Sequence, residues 1–143
     1  MFANNNLLLN PYSSNPKVVV FGGTGFLGSH VADALTDTGY DVVIFDLKSS
    51  PYLRNSQKMV VGDILDDIKV SEVVKDCDIV YNFAGISNID DASKRPLDSV
   101  KFNILGNSII LDACRKANVK RFVFASSLYV YSKTGSFYRS TKQ

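Results

Sequence analysis

Short apolar runs and amphipathic stretches take turns along this chain. Lys17-Val18-Val19-Val20-Phe21 reads as a strand, 26–38 carries a helical pattern, and Asp41-Val42-Val43-Ile44-Phe45-Asp46 and Lys58-Met59-Val60-Val61 read as two more strands. A helix near Ile68 to Lys75 leads to the strand Asp78-Ile79-Val80-Tyr81-Asn82-Phe83. A long helix near Ser99 to Ala117 then precedes a fifth strand, Arg121-Phe122-Val123-Phe124-Ala125. The strands lack polar alternation, as expected when helices cover both faces of a parallel sheet. The pattern predicts an α/β fold with a doubly wound parallel sheet. Right-handed crossovers place its strands in the order 3-2-1-4-5, with a ligand crevice at the carboxyl ends between strands one and four.

Composition narrows the class without changing the picture. A chain of 143 residues, 45% hydrophobic and 21% charged, suits one domain with a real core. A net charge of +2 with no basic block argues against nucleic acid as a partner, and Lys120-Arg121 reads as the polar start of a strand. Cys77 and Cys114 lie far apart with no neighbouring histidine, so they read as reduced, buried thiols, and His30 is given no role. Residues 1–16 lack the basic start and apolar length of a secretory signal and read as a flexible leader before a domain at 17–143. No run approaches a membrane span, which leaves the cytoplasm as the expected location and no membrane as a partner.

The candidate chemistry begins where strand one turns into the first helix, at Gly22-Gly23-Thr24-Gly25-Phe26-Leu27-Gly28. Gly22 allows the tight turn, Gly25 lets the backbone approach a pyrophosphate, and Gly28 lets the helix pack closely on the strand. The free N–H groups and positive dipole end of that helix would then meet the phosphates. The spacing is G-x-x-G-x-x-G, one residue off the commoner fingerprint, so its context has to carry the argument. Strand two ends in Asp46, 24 residues after Gly22, near the offset expected for a ribose-binding carboxylate. Strand, glycine turn, helix, strand and acid in this order predict a Rossmann-type dinucleotide site. Asp46 would repel a 2′-phosphate, which favours NAD over NADP, while Lys48 and Arg54 read as solvated loop charge. Asp63-Ile64 after strand three fits either an adenine contact or a helix cap. Phe83-Ala84-Gly85-Ile86-Ser87 after strand four has the small residues that would let backbone pass beside a cofactor.

Strand five ends in Ser126-Ser127, and Tyr138 and Lys142 follow at a Y-x-x-x-K spacing, which on a helix stacks the two side chains one turn apart. A phenol titrates at about pH 10 in water, and a neighbouring ammonium with the positive nicotinamide favours its ionised form. Ser127 would hold the substrate oxygen while Tyr138 removes a hydroxyl proton and hydride passes to the ring. Tyr129 and Lys133 share that spacing. Leu128-Tyr129-Val130-Tyr131 reads as β-like, however, and extended backbone would separate the pair.

These pieces together resemble an extended short-chain dehydrogenase/reductase: G-G-T-G-F-L-G-S-H, Asp46, Asp63-Ile64, Phe83-Ala84-Gly85, F-N-I-L-G-N around Asn103, F-V-F-A-S-S-L-Y-V-Y, and Tyr138 with Lys142. More narrowly, the chain is similar to the NAD-dependent epimerase/dehydratase family acting on nucleotide sugars. The resemblance runs from about Lys17 to the last residue. It implies Ser127 as the catalytic serine, Tyr138 as the base and Lys142 as the ribose-binding lysine. It also implies Asn103 near the nicotinamide, Phe26 and Leu27 in backbone contact with the pyrophosphate, and Phe83, Ala84, Gly85 and Ser87 along the cofactor, with Thr24 in the same corner as Gly22, Gly25 and Gly28.

Two departures accompany the resemblance. The gap from Ser127 to Tyr138 is shorter than is usual in the extended family, and the chain stops at Gln143, where the tyrosine helix begins. The expectation is the N-terminal part of a longer enzyme, truncated before a substrate-binding domain, able to bind NAD but not to turn over a sugar alone. Helices near 99–117 and after 137 form the family's usual dimer interface, implying a homodimer at full length. The leading activity is NAD-dependent nucleotide-sugar epimerisation. An acid beside Ser127 would favour dehydration, and Leu128 and Tyr129 stand there instead. The alternatives are an NAD(P)-dependent reductase of the same extended family and a non-catalytic dinucleotide-binding module.

Overall fold

A computed structural model describes residues 15–143, so the expected leader lies, except for its last two residues, outside the described residues. Five strands form one sheet: β1 (Lys17–Phe21), β2 (Asp41–Asp46), β3 (Lys58–Val61), β4 (Ile79–Asn82) and β5 (Arg121–Phe124). Their order is β3-β2-β1-β4-β5 and all four pairings are parallel, with Val18 opposite Val42 on one side and Ile79 on the other. This is the predicted doubly wound sheet.

Both faces of the sheet are covered, which is why the strand sequences show no polar alternation. Odd positions of β1, Val19 and Phe21, join Val43, Phe45 and Val80 in one core with helices α2 (Asp67–Val73) and α5 (Asn107–Lys116). Even positions, Val18 and Val20, join Val42, Ile44 and Ile79 in a second core under α1 (Phe26–Asp37). Val18 to Phe21 are all fully buried. The rings of Phe21 and Phe45 meet at 4.9 Å between centroids, near the carboxyl edge of the sheet.

Cys77 and Cys114 are free and buried in the first of these cores. Burial pushes both thiols up, Cys114 to about 12.

Three segments differ from the pattern-based expectation. A short helix α3 (Ile89–Lys94) precedes the long one, capped by Asn88, whose side chain accepts from the N–H groups of Asp90 and Asp91. The long helix starts earlier than Ser99, at Pro96, and is not uniform. It begins as α4 (Pro96–Ser99), widens to a π-helical turn over Val100–Gly106 and resumes as α5. Leu128–Tyr131 is a 3₁₀ turn rather than an extension of β5. Local bonding overrides β-propensity there, because the Ser127 hydroxyl accepts from Tyr129 N–H and Val130 N–H bonds back to the Ser127 carbonyl. Helix α6 (Ser136–Lys142) follows from Gly135, which has φ +111°.

Candidate functional site

The chain leaves β1 through Gly22, which has φ +72° and donates its N–H to Phe45 O at 2.9 Å. A Cβ on Gly22 would lie 2.6 Å from Ala84 N and 2.7 Å from the Phe83 carbonyl carbon, so the glycine lets this corner press against the backbone after β4. A Cβ on Gly28 would overlap the Gly22 carbonyl oxygen. Its absence is what allows α1 to start against the corner. Gly25 is the N-cap of α1 and offers no side chain to the first-turn N–H groups, so these remain available to an anion.

Asp46 closes the corner from the end of β2. One carboxylate oxygen accepts from Thr24 N–H at 3.0 Å and from the Thr24 hydroxyl at 2.7 Å, and the other from Leu47 N–H at 2.7 Å. A carboxylate has about four acceptor positions, so capacity for ribose hydroxyls remains. Arg54 reaches back to Asp33 at 3.0 Å and to Asp37, both on α1. That engagement agrees with its reading as exposed loop charge rather than as a 2′-phosphate ligand.

Asp63 is neither the cap of α2 nor unattached. Asp66 caps the helix by accepting from Lys69 N–H, while Asp63 accepts from Leu65 N–H at 2.9 Å in a tight local turn and lines the cleft with Ile64. A cleft of about 590 Å³ opens along the carboxyl ends of the strands, within the range of small-molecule sites. Asp46 and Asp63 stand along one stretch, the glycine corner and the Phe83–Ser87 loop along the middle, and Tyr138 and Lys142 along another, all lining the same space.

Tyr138 and Lys142 share α6, as the spacing predicted. Lys142 is 6% exposed, donates to Ala125 O at 3.2 Å and lies 4.8 Å from the centroid of the Phe124 ring. Desolvation holds its pKa below the ordinary lysine value. Ser126 donates to the Lys142 carbonyl at 3.2 Å and faces the cleft. Ser127 is half-buried, caps the 3₁₀ turn, and is not among the residues lining the cleft. Asn103 is 2% exposed and stands behind the wall. Its amide is spent on the backbone N–H and C=O of Ile86 and on Thr141. Tyr129 presents an edge-on ring to Tyr138 at 6.2 Å, and neither Tyr129 nor Lys133 lines the cleft.

Ser126, Gly62 and Arg95 line the cleft and were not singled out in the sequence. Gly62 directly follows β3, so the rule that ligands meet the carboxyl ends of strands could have found it. Arg95 precedes Pro96, a helix-start signal that carries no hint of a ligand.

The buried ammonium carries a stability consequence. Its lowered pKa means the unfolded chain holds this proton more tightly, so the folded state is disfavoured at neutral pH and gains as pH rises toward 10.5. Lys142→Met is therefore expected to melt at or above the wild-type temperature at pH 7, with the difference shrinking near pH 10. Thermal melts at both values check this. A clear loss at pH 7 would show that the contacts with Ala125 and Phe124 outweigh desolvation.

Comparison with known proteins agrees with this geometry. The family model described as NAD dependent epimerase/dehydratase family matches residues 18–142. A relative from Klebsiella pneumoniae described as UDP-glucose 4-epimerase is 32% identical over 132 residues, covering 80% of this chain and 91% of that protein. A UDP-glucose 4-epimerase of Lactobacillus helveticus is 36% identical over 120 residues, covering 80% of this chain and 36% of that protein. The chain thus spans little more than a third of the latter relative's length. Among solved structures, UDP-glucose 4-epimerase from Brucella ovis in complex with NAD superposes with a TM-score of 0.79 at 28% identity, covering 89% of this chain and 44% of that one.

Proposed function

Because the chain belongs to the NAD dependent epimerase/dehydratase family, we propose that it is the cofactor-binding part of an NAD-dependent nucleotide-sugar epimerase, with UDP-glucose as the first substrate to test. The observation that carries this is the single cleft joining the glycine corner and Asp46 to Tyr138 and Lys142. The relatives described as UDP-glucose 4-epimerases favour epimerisation over a reductase or a non-catalytic module.

The residues fit NAD on structural grounds. The corner leaves out the Cβ atoms that would block close backbone approach, the helix start has no side-chain cap, and Asp46 keeps acceptor capacity. When bound, NAD supplies a hydride acceptor and donor. Gly22, Thr24, Gly25, Phe26, Leu27 and Gly28 form the pyrophosphate cradle, Asp46 takes the ribose hydroxyls, Asp63 and Ile64 flank the adenine, and Phe83, Ala84, Gly85 and Ser87 wall the middle.

Tyr138 removes the proton from the reacting sugar hydroxyl and returns it. Lys142 binds the nicotinamide-side ribose and keeps positive charge beside the phenol. Ser127 uses its hydroxyl oxygen as an acceptor for Tyr129 N–H, which leaves its proton free, and because it stands outside the cleft lining it meets the substrate oxygen only where the substrate extends past the cleft at the end of β5. Asn103 supports the nicotinamide side through Ile86.

The full protein works as a cytoplasmic homodimer in this reading. The helical run from Pro96 to Lys116 and α6 expose Leu97, Val100, Ile104, Leu111 and Phe137, an apolar surface suited to a second copy. Among the described residues, no helix is long and apolar enough to cross a membrane.

The test has two parts. Calorimetric titration is expected to show NAD binding at least tenfold tighter than NADP, since the 2′-phosphate would meet Asp46 at a cost of about 1.4 kcal/mol or more. The natural protein should also interconvert UDP-glucose and its 4-epimer. NADP preference would overturn the cofactor assignment, and NAD binding with no epimerisation would overturn the activity.

A further inference from the structure

Helix α6 carries Tyr138 and Lys142, and hydrogen bonds to other parts of the domain fix its position. On the β5 side, Ser126 bonds to the Lys142 carbonyl and Lys142 to the Ala125 carbonyl. Toward the π-helical turn, a further contact is made by a residue to which neither the motif nor the site assigns a role.

Thr141 is 6% exposed. Its hydroxyl donates to the Tyr138 carbonyl at 3.1 Å, an ordinary bond for a threonine inside a helix. The same oxygen also accepts from the Asn103 side-chain amide at 2.9 Å, across 38 residues of sequence. Asn103 continues the link. Its oxygen accepts from Ile86 N–H at 2.8 Å and its nitrogen donates to Ile86 O at 3.1 Å, so both amide protons are used inside the protein. Ile86 belongs to the loop that lines the cleft after β4. Gly85, with φ +135°, has no Cβ to collide with the Asn103 oxygen, so the loop can close onto the amide. Asn103 itself lies in the π-helical turn, a distortion that often accompanies functional sites.

We infer that Thr141 is a positioning residue: through Asn103 its hydroxyl ties the helix bearing Tyr138 and Lys142 to the loop after β4, and so sets where the tyrosine stands in the cleft. This rests on the reading of Tyr138 as the base. Valine at position 141 keeps the volume and branching of threonine but turns a methyl toward the Asn103 amide, which loses one acceptor in a buried place. The helix then settles differently, and a displacement of about 1 Å at a reacting group costs about a hundredfold in rate.

The experiment compares the natural protein with Thr141→Val and Thr141→Ser. The valine variant is expected to lose about tenfold to a hundredfold in kcat with unchanged KM and NAD affinity. Serine should restore most of it, because it returns the hydroxyl. A valine variant with wild-type kcat would overturn the inference, as would equal loss in both variants, which would point to packing alone. Hydrogen exchange of the α6 amides supplies a readout independent of turnover. If the wild type acts on no nucleotide sugar, the functional reading fails, and the tie itself is still judged: faster exchange at 138–142 in the valine variant sustains it, and unchanged exchange removes it.

Discussion

Tyr138→Phe is expected to lower the turnover of a nucleotide sugar by about 10²–10⁴-fold, the usual span for losing a positioned general base. The substitution is informative because so little else changes. The phenylalanine ring can keep the edge-on contact with Tyr129 at 6.2 Å, and among the described residues no hydrogen bond to the Tyr138 hydroxyl ties it into the fold. The backbone carbonyl of Tyr138, which receives the Thr141 hydroxyl, is untouched. Folding and NAD affinity should therefore stay at wild-type values while kcat collapses. Steady-state kinetics, a thermal melt and a titration with NAD separate these three quantities. Wild-type turnover in the variant would mean that another group removes the proton.

Gly28→Val is expected to fail at an earlier stage, in the fold itself. A Cβ there overlaps the Gly22 carbonyl oxygen and lies 2.8 Å from Gly23 Cα, so only backbone could move, and moving it separates α1 from β1. Forced overpacking of this kind costs about 3 kcal/mol, roughly 10 °C in Tm for a domain of this size. NAD binding should disappear with it, because the helix start and the corner no longer meet. Gly25→Ala isolates the other role of glycine. Among the described residues its Cβ would contact only Gly22 O, at 3.3 Å, so the melt should barely change while NAD affinity falls at least tenfold, about 1.4 kcal/mol. A Gly28→Val protein that melts like wild type would show that α1 does not need this close approach.

The sheet was legible because its strands are buried on both faces. Val18-Val19-Val20-Phe21 can only be a central strand when one alternate pair fills each core, and the handedness of parallel crossovers then orders the five strands. The cofactor corner was legible because Gly25 and Gly28 answer to the Gly22 carbonyl a few positions away, whereas Gly22 itself answers to the distant backbone of Phe83 and Ala84 and is readable only from the turn it makes. Where side chains choose distant partners, pattern reading had nothing to work with. The Asn103 amide goes to Ile86 and Thr141, and Arg54 goes to Asp33 and Asp37, and no periodicity encodes either choice.

Leu128-Tyr129-Val130-Tyr131 looked extended from its β-branched and aromatic residues. A single hydroxyl at Ser127, capping the turn, outweighed that preference. Helix α3 is too short to show an apolar period, and its signal lies in its start alone: Asn88 followed by Asp90 and Asp91 is a helix start with acids in the first turn. Pro96 likewise marks a helix beginning three residues before the expected one.

The two buried cysteines make the domain convenient for spectroscopy. Thiol-directed reagents attack the thiolate, and both native sulfurs are shielded from solvent with their acidity suppressed, Cys114 to about 12. A dye or spin label directed to one cysteine introduced at an exposed position, such as Ser140 on α6, would meet almost no background from Cys77 or Cys114. Motion of that helix as ligands enter the cleft thus becomes observable without first removing the natural sulfurs.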